Sequence, residues 1–302
     1  MRLLLVGFGS LGTRHLQSLI NLDAQIDVLE PYEFNITENS KEINNLKKVF
    51  FYQDSSDLNR NYDVCIISTS SKPRLKVILE LQRKIKWNYL ILEKFLFPSI
   101  GEYEIFENEY LYDLKNVNVN CPRRYYEGYQ NIKLLNSSKD LIGIDVRGNN
   151  WGMSTNGIHF LDLFQYFASE NLSNVSVISL EKITSKRDGY DELVGELFFK
   201  SQSKYIRLLS TNDRAEESFE IKVKFRDHVY TINEIQNELL ISTQDRKSIE
   251  PFNTIFQSNL TEVYVNDLVT KGLSSLPTYL ESRHDHQIFL EAIASIKNIS
   301  IT

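Results

Sequence analysis

Three glycines near the chain start limit the possible folds more than any other feature of this sequence. They form the pattern Gly7-x-Gly9-x-x-Gly12 and directly follow the apolar run at 3–6, which is typical of a short buried strand. Apolar residues at helical spacing come next, and a second predicted strand occupies 26–29. This order of strand, glycine loop, helix and strand is the context in which the pattern predicts a dinucleotide site.

Each glycine has a physical role in such a site. Gly7 permits the tight turn, Gly9 lets the backbone approach a pyrophosphate, and Gly12 lets the helix pack closely on the strand. The helix N-terminus then offers N–H groups and a positive dipole end to the phosphates. The predicted cofactor contacts cover the whole loop, namely Gly7, Phe8, Gly9, Ser10, Leu11 and Gly12. A turn that merely needs glycines and a methyltransferase loop are the alternatives.

An acidic residue at the end of the second strand bears on the choice of cofactor. Glu30 lies where a carboxylate accepts hydrogen bonds from the adenosine ribose hydroxyls. A carboxylate at this position would repel a ribose 2′-phosphate, so the sequence favours NAD over NADP. Arg14 keeps NADP open as the alternative, because a nearby arginine accommodates a 2′-phosphate.

Strands and helices continue to alternate after this unit. Further strands are predicted at Val49–Tyr52, 62–69 and 89–92, with a helix at 75–81. Such alternation predicts a parallel, doubly wound sheet, whose ligands bind at the carboxyl ends of the strands. The residues predicted to face the cofactor there are Ser68, Thr69 and Ser70 after one strand, and Glu93 and Lys94 after the next.

Predicted strands dominate the second half. A strand at 117–121 leaves the first domain, and a strand at 141–148 places Ile142, Ile144 and Val146 on one face. Further strand-like runs follow at short intervals, and consecutive strands without intervening helices predict an antiparallel sheet. Helices are predicted at 126–135, 159–167, 261–270 and 284–296.

The chain is thus predicted to be an α/β protein of two domains. Residues 1–120 form an N-terminal Rossmann domain with a doubly wound parallel sheet. Residues 121–302 form a C-terminal α+β domain with a mostly antiparallel sheet, and the C-terminal helices are candidates for packing back on the first domain.

Composition narrows the function classes. The chain has 302 residues, of which 42% are hydrophobic and 25% charged, so it is neither disordered nor of low complexity. A net charge of −6 argues against nucleic acid or an anionic membrane as a partner. No apolar stretch reaches the roughly 18 residues of a membrane span. Cys65 and Cys121 cannot form a disulfide framework, which favours buried thiols in a cytoplasmic protein.

Two separated motifs resemble those of the glucose–fructose oxidoreductase / inositol dehydrogenase / MocA (Gfo/Idh/MocA) family. Glu93-Lys94 matches the family's Glu-Lys-Pro, and Gly157-x-His159-x-x-Asp162 matches its Asp-x-Gly-x-His-x-x-Asp. A weaker match is Arg124, which is followed by an aromatic residue as in relatives. The resemblance covers nearly the whole chain.

The chain also departs from the family's motifs at three points. Phe95 stands where the family has proline, and Thr155 stands where it has the first aspartate. The turn after the fourth strand, usually Thr-Pro-x, is Thr69-Ser70-Ser71 here.

The resemblance implies an NAD(P)-dependent oxidoreductase that acts on a hydroxyl or keto carbon of a sugar or sugar derivative, with a role in bacterial surface-carbohydrate metabolism as one possibility. The first domain would bind the nucleotide, and the second would bind substrate and form a homodimer or homotetramer. Lys94 and His159 would be catalytic, and Asp162 would hold a substrate hydroxyl or orient His159.

The residue types suit this chemistry. His159, with an ordinary pKa of about 6.5, can take the proton of a carbinol hydroxyl, and the Lys94 cation can polarise the oxygen that gains charge. The ordinary alternatives are a core histidine, a surface lysine and, for Asp162, a residue that only hydrogen-bonds on a helix face.

Other polar and aromatic residues are candidates for substrate binding. Arg124 and Tyr126 could grip an anion or a sugar ring, and Trp151 and Asn156 flank the histidine motif. The alternative for the arginine–tyrosine cluster is a solvated patch at the domain hinge. No metal site is predicted.

Two other functions compete with the oxidoreductase. One is a catalytically silent NAD-binding sensor or scaffold of the same fold, which the departures at Phe95 and Thr155 keep open. The other is a transferase that uses the same glycine loop and has no affinity for a nicotinamide cofactor.

Overall fold

A computed structural model of the chain describes residues 1–31, 48–185, 189–213 and 219–301. Two compact units divide the chain. The first comprises Met1–Pro122 and Ile255–Ser282, and the second comprises Arg123–Thr254 and Arg283–Thr302. The predicted second domain takes in everything after residue 120, whereas the structure assigns 255–282 to the first unit.

The elements are numbered in chain order. The strands are β1 (Arg2–Val6), β2 (Gln25–Leu29), β3 (Val49–Tyr52), β4 (Asn61–Ile67), β5 (Lys86–Leu92), β6 (Val117–Val119), β7 (Leu141–Asn149), β8 (Asn174–Thr184), β9 (Asp191–Lys200), β10 (Tyr205–Thr211), β11 (Phe219–Phe225), β12 (Val229–Asn233), β13 (Glu238–Ser242) and β14 (Lys247–Pro251). The helices are α1 (Ser10–Leu19), α2 (Ser71–Leu81), α3 (Ile100–Glu109), α4 (Glu127–Leu135), α5 (Met153–Ala168), α6 (Thr261–Lys271) and α7 (Tyr279–Ile293).

The first unit contains a sheet of six parallel strands in the order β3-β2-β1-β4-β5-β6. This is the strand order of a doubly wound dinucleotide-binding fold, so the predicted Rossmann sheet is confirmed. Its central strands are rich in fully buried apolar residues, such as Leu4, Val64 and Leu90, because helices cover both faces of such a sheet. Their carboxyl ends therefore form one edge where loops from several strands can meet.

The second unit contains a sheet of eight strands in the order β14-β13-β12-β11-β7-β10-β9-β8. Every pair is antiparallel except β7 with β10. The predicted α+β architecture with a mostly antiparallel sheet is confirmed. Helix α5 contacts β7, β9 and β10. It buries Ile158, Leu161 and Phe164 completely, so it is a core helix of this unit.

The structure differs from the sequence prediction in a few elements. Helix α3 and strand β14 are not predicted, although Ser99 and Glu102 form a capping box, which is a sequence signal for the start of α3. Helix α5 begins at Met153 rather than at 159, directly after Gly152, which has a left-handed φ of 79°. None of the helices in the described part of the chain is long and apolar enough to cross a membrane.

The predicted single face of Ile142, Ile144 and Val146 is wrong for its first member. Ile144 and Val146 are fully buried, whereas Ile142 is 45% exposed. The register of β7 against β11 shifts between Lys224 and Phe225, so the two partners pair with Gly143 and Leu141. Ile142 is therefore the extra residue of a bulge, and the alternation of faces is interrupted there.

Candidate functional site

The glycine loop between β1 and α1 is shaped by close backbone contacts. Gly7 has a φ of 92°, a region that side-chain-bearing residues rarely adopt. A Cβ atom on Gly12 would lie only 2.2 Å from the carbonyl oxygen of Gly7, so no other residue fits without a backbone shift. At Gly9, by contrast, no described atom lies within 4 Å of the position of a Cβ. The loop thus packs tightly on the strand and leaves open space at its middle glycine.

Side chains at neighbouring strand ends hold this loop. Glu30 accepts a hydrogen bond from the Phe8 N–H through Oε2, at 2.8 Å. Ser68 Oγ lies 2.7 Å from the Gly7 carbonyl oxygen and donates to it. The Phe8 ring is 2% exposed and meets Phe51 edge to face, so contact between Phe8 and a ligand would have to come from its backbone.

The polar turn after β4 lies at the same edge of the sheet. Thr69 Oγ1 is buried and has no hydrogen-bond partner in the described part of the chain. Ser70 is the N-cap residue of α2, and its side chain makes no capping hydrogen bond. Within the loop, Ser10 is exposed and Leu11 is half-buried. A tight glycine cradle beside a helix N-terminus, with unpaired polar groups nearby, fits the diphosphate of a dinucleotide cofactor.

The turn after β5 carries Glu93 and Lys94. Lys94 is half-buried, while the residues on either side of it are 2% and 1% exposed. The Lys94–Phe95 peptide bond is cis. The Glu93 carboxylate accepts hydrogen bonds from His15 Nε2 at 2.8 Å and from Asn120 Nδ2 at 2.5 Å. Glu93 is predicted to contact the cofactor, but the structure shows its carboxylate bound to side chains inside the unit.

In the second unit, the histidine motif lies on α5. His159 is 9% exposed, and Asp162 is fully buried one turn further along. Asp162 forms a two-pronged ion pair with Arg124, with 2.7 Å from Oδ1 to Nη2 and 3.2 Å from Oδ2 to Nε. The structure therefore brings together two residues that are predicted to bind substrate, and it pairs them with each other.

The other substrate-binding candidates also have internal partners. Trp151 Nε1 donates to the Leu209 carbonyl oxygen at 2.9 Å, and Asn156 Nδ2 donates to the Trp151 carbonyl oxygen at 3.0 Å. Tyr126 stacks on Tyr129 with ring centroids 6.1 Å apart. Burial raises the pKa of the Tyr126 hydroxyl. Tyr126 is therefore a neutral hydrogen-bonding group rather than a base at ordinary pH.

The motif glycine and the family departure at Thr155 both have packing explanations. A Cβ on Gly157 would lie 2.7 Å from the Phe289 ring, so glycine permits the close approach of α7 to α5 within this unit. Glu192 on β9 accepts hydrogen bonds from the Ser154 N–H at 2.7 Å and from Thr155 Oγ1 at 3.2 Å. The start of α5 thus has a carboxylate nearby, but Glu192 on β9 supplies it instead of an aspartate at position 155.

Sequence reasoning does not single out Arg74, His15 or Glu192. Two of the three leave a signal, because Arg74 and His15 fall on the apolar faces of their helices. Arg74 aligns with Ile78 and Leu81, and both are buried with it. A polar residue at such a position indicates a buried hydrogen-bonding role. Glu192 leaves no local signal, because its partners lie on a different element.

Comparisons with known proteins bear on the fold. No family model matches the chain, and no curated protein matches it in sequence. Among solved structures, it is similar to UDP-N-acetylglucosamine 3-dehydrogenase GnnA from Acidithiobacillus ferrooxidans, with a TM-score of 0.73 at 12% identity over 98% of each chain.

Two other solved structures are similarly close. An oxidoreductase from Agrobacterium radiobacter, in complex with NAD+, L-tartaric acid and magnesium, has a TM-score of 0.74 at 12% identity over 98% of this chain and 96% of that one. The super-repressor mutant of Gal80p from Saccharomyces cerevisiae has a TM-score of 0.74 at 14% identity over 98% and 96%. The chain shares the two-domain fold of these solved structures, which is the fold that the sequence resemblance implies.

Proposed function

We propose that this protein is an NAD(H)-dependent oxidoreductase that acts on a hydroxyl or keto carbon of a sugar or sugar derivative. The observation that carries the proposal is the glycine cradle. A Cβ on Gly12 would lie 2.2 Å from the Gly7 carbonyl oxygen, which is too close for any side chain, while the backbone at Gly9 borders open space. That arrangement suits a pyrophosphate at the N-terminus of α1.

The choice of NAD over NADP rests on Glu30. Glu30 directly follows β2, and its carboxylate accepts a hydrogen bond from the Phe8 N–H, which holds its negative charge beside the loop. Ribose hydroxyls would donate to such a carboxylate, whereas a 2′-phosphate would be repelled. The similar oxidoreductase in complex with NAD+ supports a nicotinamide cofactor.

Lys94 and His159 are the residues that we assign to the reaction. A bound nicotinamide supplies the acceptor or donor of the hydride. His159 would take or return the hydroxyl proton, because its ordinary pKa lies near neutral pH. Lys94 would stabilise negative charge on the substrate oxygen. The substrate class rests on the family resemblance and on GnnA, which is named for a nucleotide-sugar substrate.

Separate alanine variants test these roles. We expect Lys94→Ala and His159→Ala each to lower kcat by about a hundredfold or more, because one acid–base group contributes at least this much. Binding of NADH, measured by calorimetry, should stay largely intact. Activity is assayed with UDP-sugars and free hexoses as substrates and NAD+ as the oxidant, and the reaction is followed by the absorbance of NADH. Lys76→Ala and His228→Ala serve as controls on the same two residue types. Near wild-type kcat in either catalytic variant would remove that residue from the mechanism.

A second function is favoured by a specific observation. Asp162 and Arg124 neutralise each other, and Thr155 replaces the aspartate of the family motif. We therefore keep a catalytically silent NAD-binding sensor or scaffold as the alternative, and similarity to the Gal80p super-repressor fits it. Tight NADH binding without turnover of any sugar in the panel would favour this alternative.

The resemblance also supports assembly as a homodimer or homotetramer. Relatives commonly pair through the second sheet, and light scattering on the purified protein measures the assembly directly. A monomer at working concentrations would remove this part of the proposal.

A further inference from the structure

The turn that carries Lys94 is gripped by a buried arginine. Arg74 on α2 is 1% exposed and donates through Nη1 to the carbonyl oxygens of Glu93 at 2.5 Å and Leu96 at 2.9 Å. Nη1 also contacts the Phe95 carbonyl oxygen, and Nη2 contacts that of Thr69. A guanidinium group, with its planar fork of five N–H donors, can bind several carbonyl groups at once. Arg74 thus ties the ends of β4 and β5 together.

A second grip acts on the side chain of the same turn. His15 is fully buried, and its Nε2 lies 2.8 Å from Glu93 Oε1. On the other side of the ring, Nδ1 lies 2.9 Å from Thr261 Oγ1. Since a carboxylate only accepts hydrogen bonds, the proton on Nε2 must point at Glu93. His15 therefore links the turn to α1, the helix that begins at the glycine loop.

The two grips leave Lys94 in a distinctive position. Residues 90–97 are buried at every position except Lys94, which is half-buried. Burial of an ionised group destabilises the folded protein unless the group is well paired. Here the buried Arg74, Glu93 and His15 are joined by hydrogen bonds at the turn that carries the partly accessible Lys94.

We propose that Arg74 and His15 are positioning residues for Lys94, which fix the Glu93–Leu96 turn against β4 and α1. This inference rests on the proposed function of Lys94. Displacement of a reacting group by about 1 Å can lower a rate by about a hundredfold. Because the turn is held through both its main chain and the Glu93 side chain, Lys94 keeps a fixed position relative to the glycine loop.

Arg74→Lys tests the main-chain grip. Lysine keeps the positive charge but has no planar fork, so it cannot bind the same set of carbonyl groups. We expect kcat to fall by about tenfold to a hundredfold, with little change in the Kd for NADH or in KM. Arg226→Lys, at an exposed arginine that pairs with Asp140, is the control.

A paired substitution at His15 tests the side-chain grip and covers the case in which Arg74→Lys fails to fold. His15→Gln can still donate to Glu93 from an amide near the position of Nε2, whereas His15→Leu cannot. We expect His15→Gln to retain most of the kcat and His15→Leu to lose at least about tenfold. Equal kcat values for the two variants would overturn the proposal for His15.

A readout that does not need turnover separates this inference from the proposed function. Acetylation of Lys94 by acetic anhydride, quantified by mass spectrometry, reports the environment of its amine, with exposed Lys76 as the internal reference. We expect the Lys94 rate to change by about threefold or more in Arg74→Lys and His15→Leu, but not in His15→Gln. Such a change in a protein that turns over no sugar would support the positioning role and count against the oxidoreductase. Unchanged labelling and unchanged kcat in both variants would overturn the inference.

Discussion

The glycine loop of the first unit and the His159 helix of the second both contain residues that are predicted to be functional, and the two regions are built in opposite ways. The loop depends on residues without side chains, since a Cβ on Gly12 would clash with the backbone and Gly9 borders open space. The helix is defined by side chains that are present and already paired, as Asp162 is with Arg124. A motif of glycines thus reveals room for a ligand, whereas a motif of polar residues can be satisfied within the protein.

The largest expected effect breaks the pair in the second unit. Asp162→Ala leaves the Arg124 charge buried without this carboxylate, and we expect the free energy of unfolding to fall by about 3–5 kcal/mol. Denaturant titration followed by circular dichroism measures the change. Asp140→Ala is the control, because the Asp140–Arg226 pair is exposed and should contribute at most about 1 kcal/mol.

The same pair allows a sharper comparison. The double variant Arg124→Met with Asp162→Leu removes both charges and should recover most of the lost stability. If Asp162→Ala instead changes stability by less than about 1 kcal/mol but raises the substrate KM, Asp162 is a substrate-binding residue and its pairing with Arg124 is incidental.

The next effect separates two glycines of one loop. Gly12→Ala places a methyl group 2.2 Å from a backbone oxygen. We expect the free energy of unfolding to fall by about 1–3 kcal/mol and NADH binding to be lost as well. Gly9→Ala meets no described atom within 4 Å, so stability should stay within about 0.5 kcal/mol while NADH binds at least about tenfold more weakly. Gly101→Ala, equally open but on α3, is the control for both. Unimpaired NADH binding by Gly9→Ala would place the ligand elsewhere.

The smallest effect concerns Glu30. Glu30→Ala removes the charge beside the ribose site. We expect the Kd for NADPH divided by the Kd for NADH to fall by about tenfold, equivalent to about 1.4 kcal/mol. Calorimetric titration with both nucleotides measures it, and Glu80→Ala on the exposed face of α2 is the control. An unchanged ratio would limit Glu30 to its hydrogen bond with the Phe8 N–H.

Local patterns predicted the first unit well, because each of its features lies within a short stretch of sequence. The glycine spacing and the alternation of apolar strands and helices specified the parallel sheet and placed Glu30, Thr69 and Lys94 at strand ends. Even Arg74 left a trace, since it shares a helix face with Ile78. What the pattern could not reveal was its partners, which are main-chain carbonyls of a turn on another element.

Long-range pairing limited the prediction for the second unit. The Arg124–Asp162 ion pair joins residues that are 38 positions apart, and periodicity contains no information about such a contact. The same applies to Glu192, which supplies a carboxylate to the start of α5 from β9. Ile142 was misplaced for a related reason, because a bulge depends on the register of the neighbouring strand.

The central claim is that the glycine loop holds a nicotinamide dinucleotide. Calorimetric titration of the purified protein with NADH and NADPH tests it most directly, after mass spectrometry has checked for nucleotide carried through purification. We predict that NADH binds with a micromolar or lower Kd, about −8 kcal/mol or better, and more tightly than NADPH. Failure of both nucleotides to bind, in a preparation that carries none, would contradict the account.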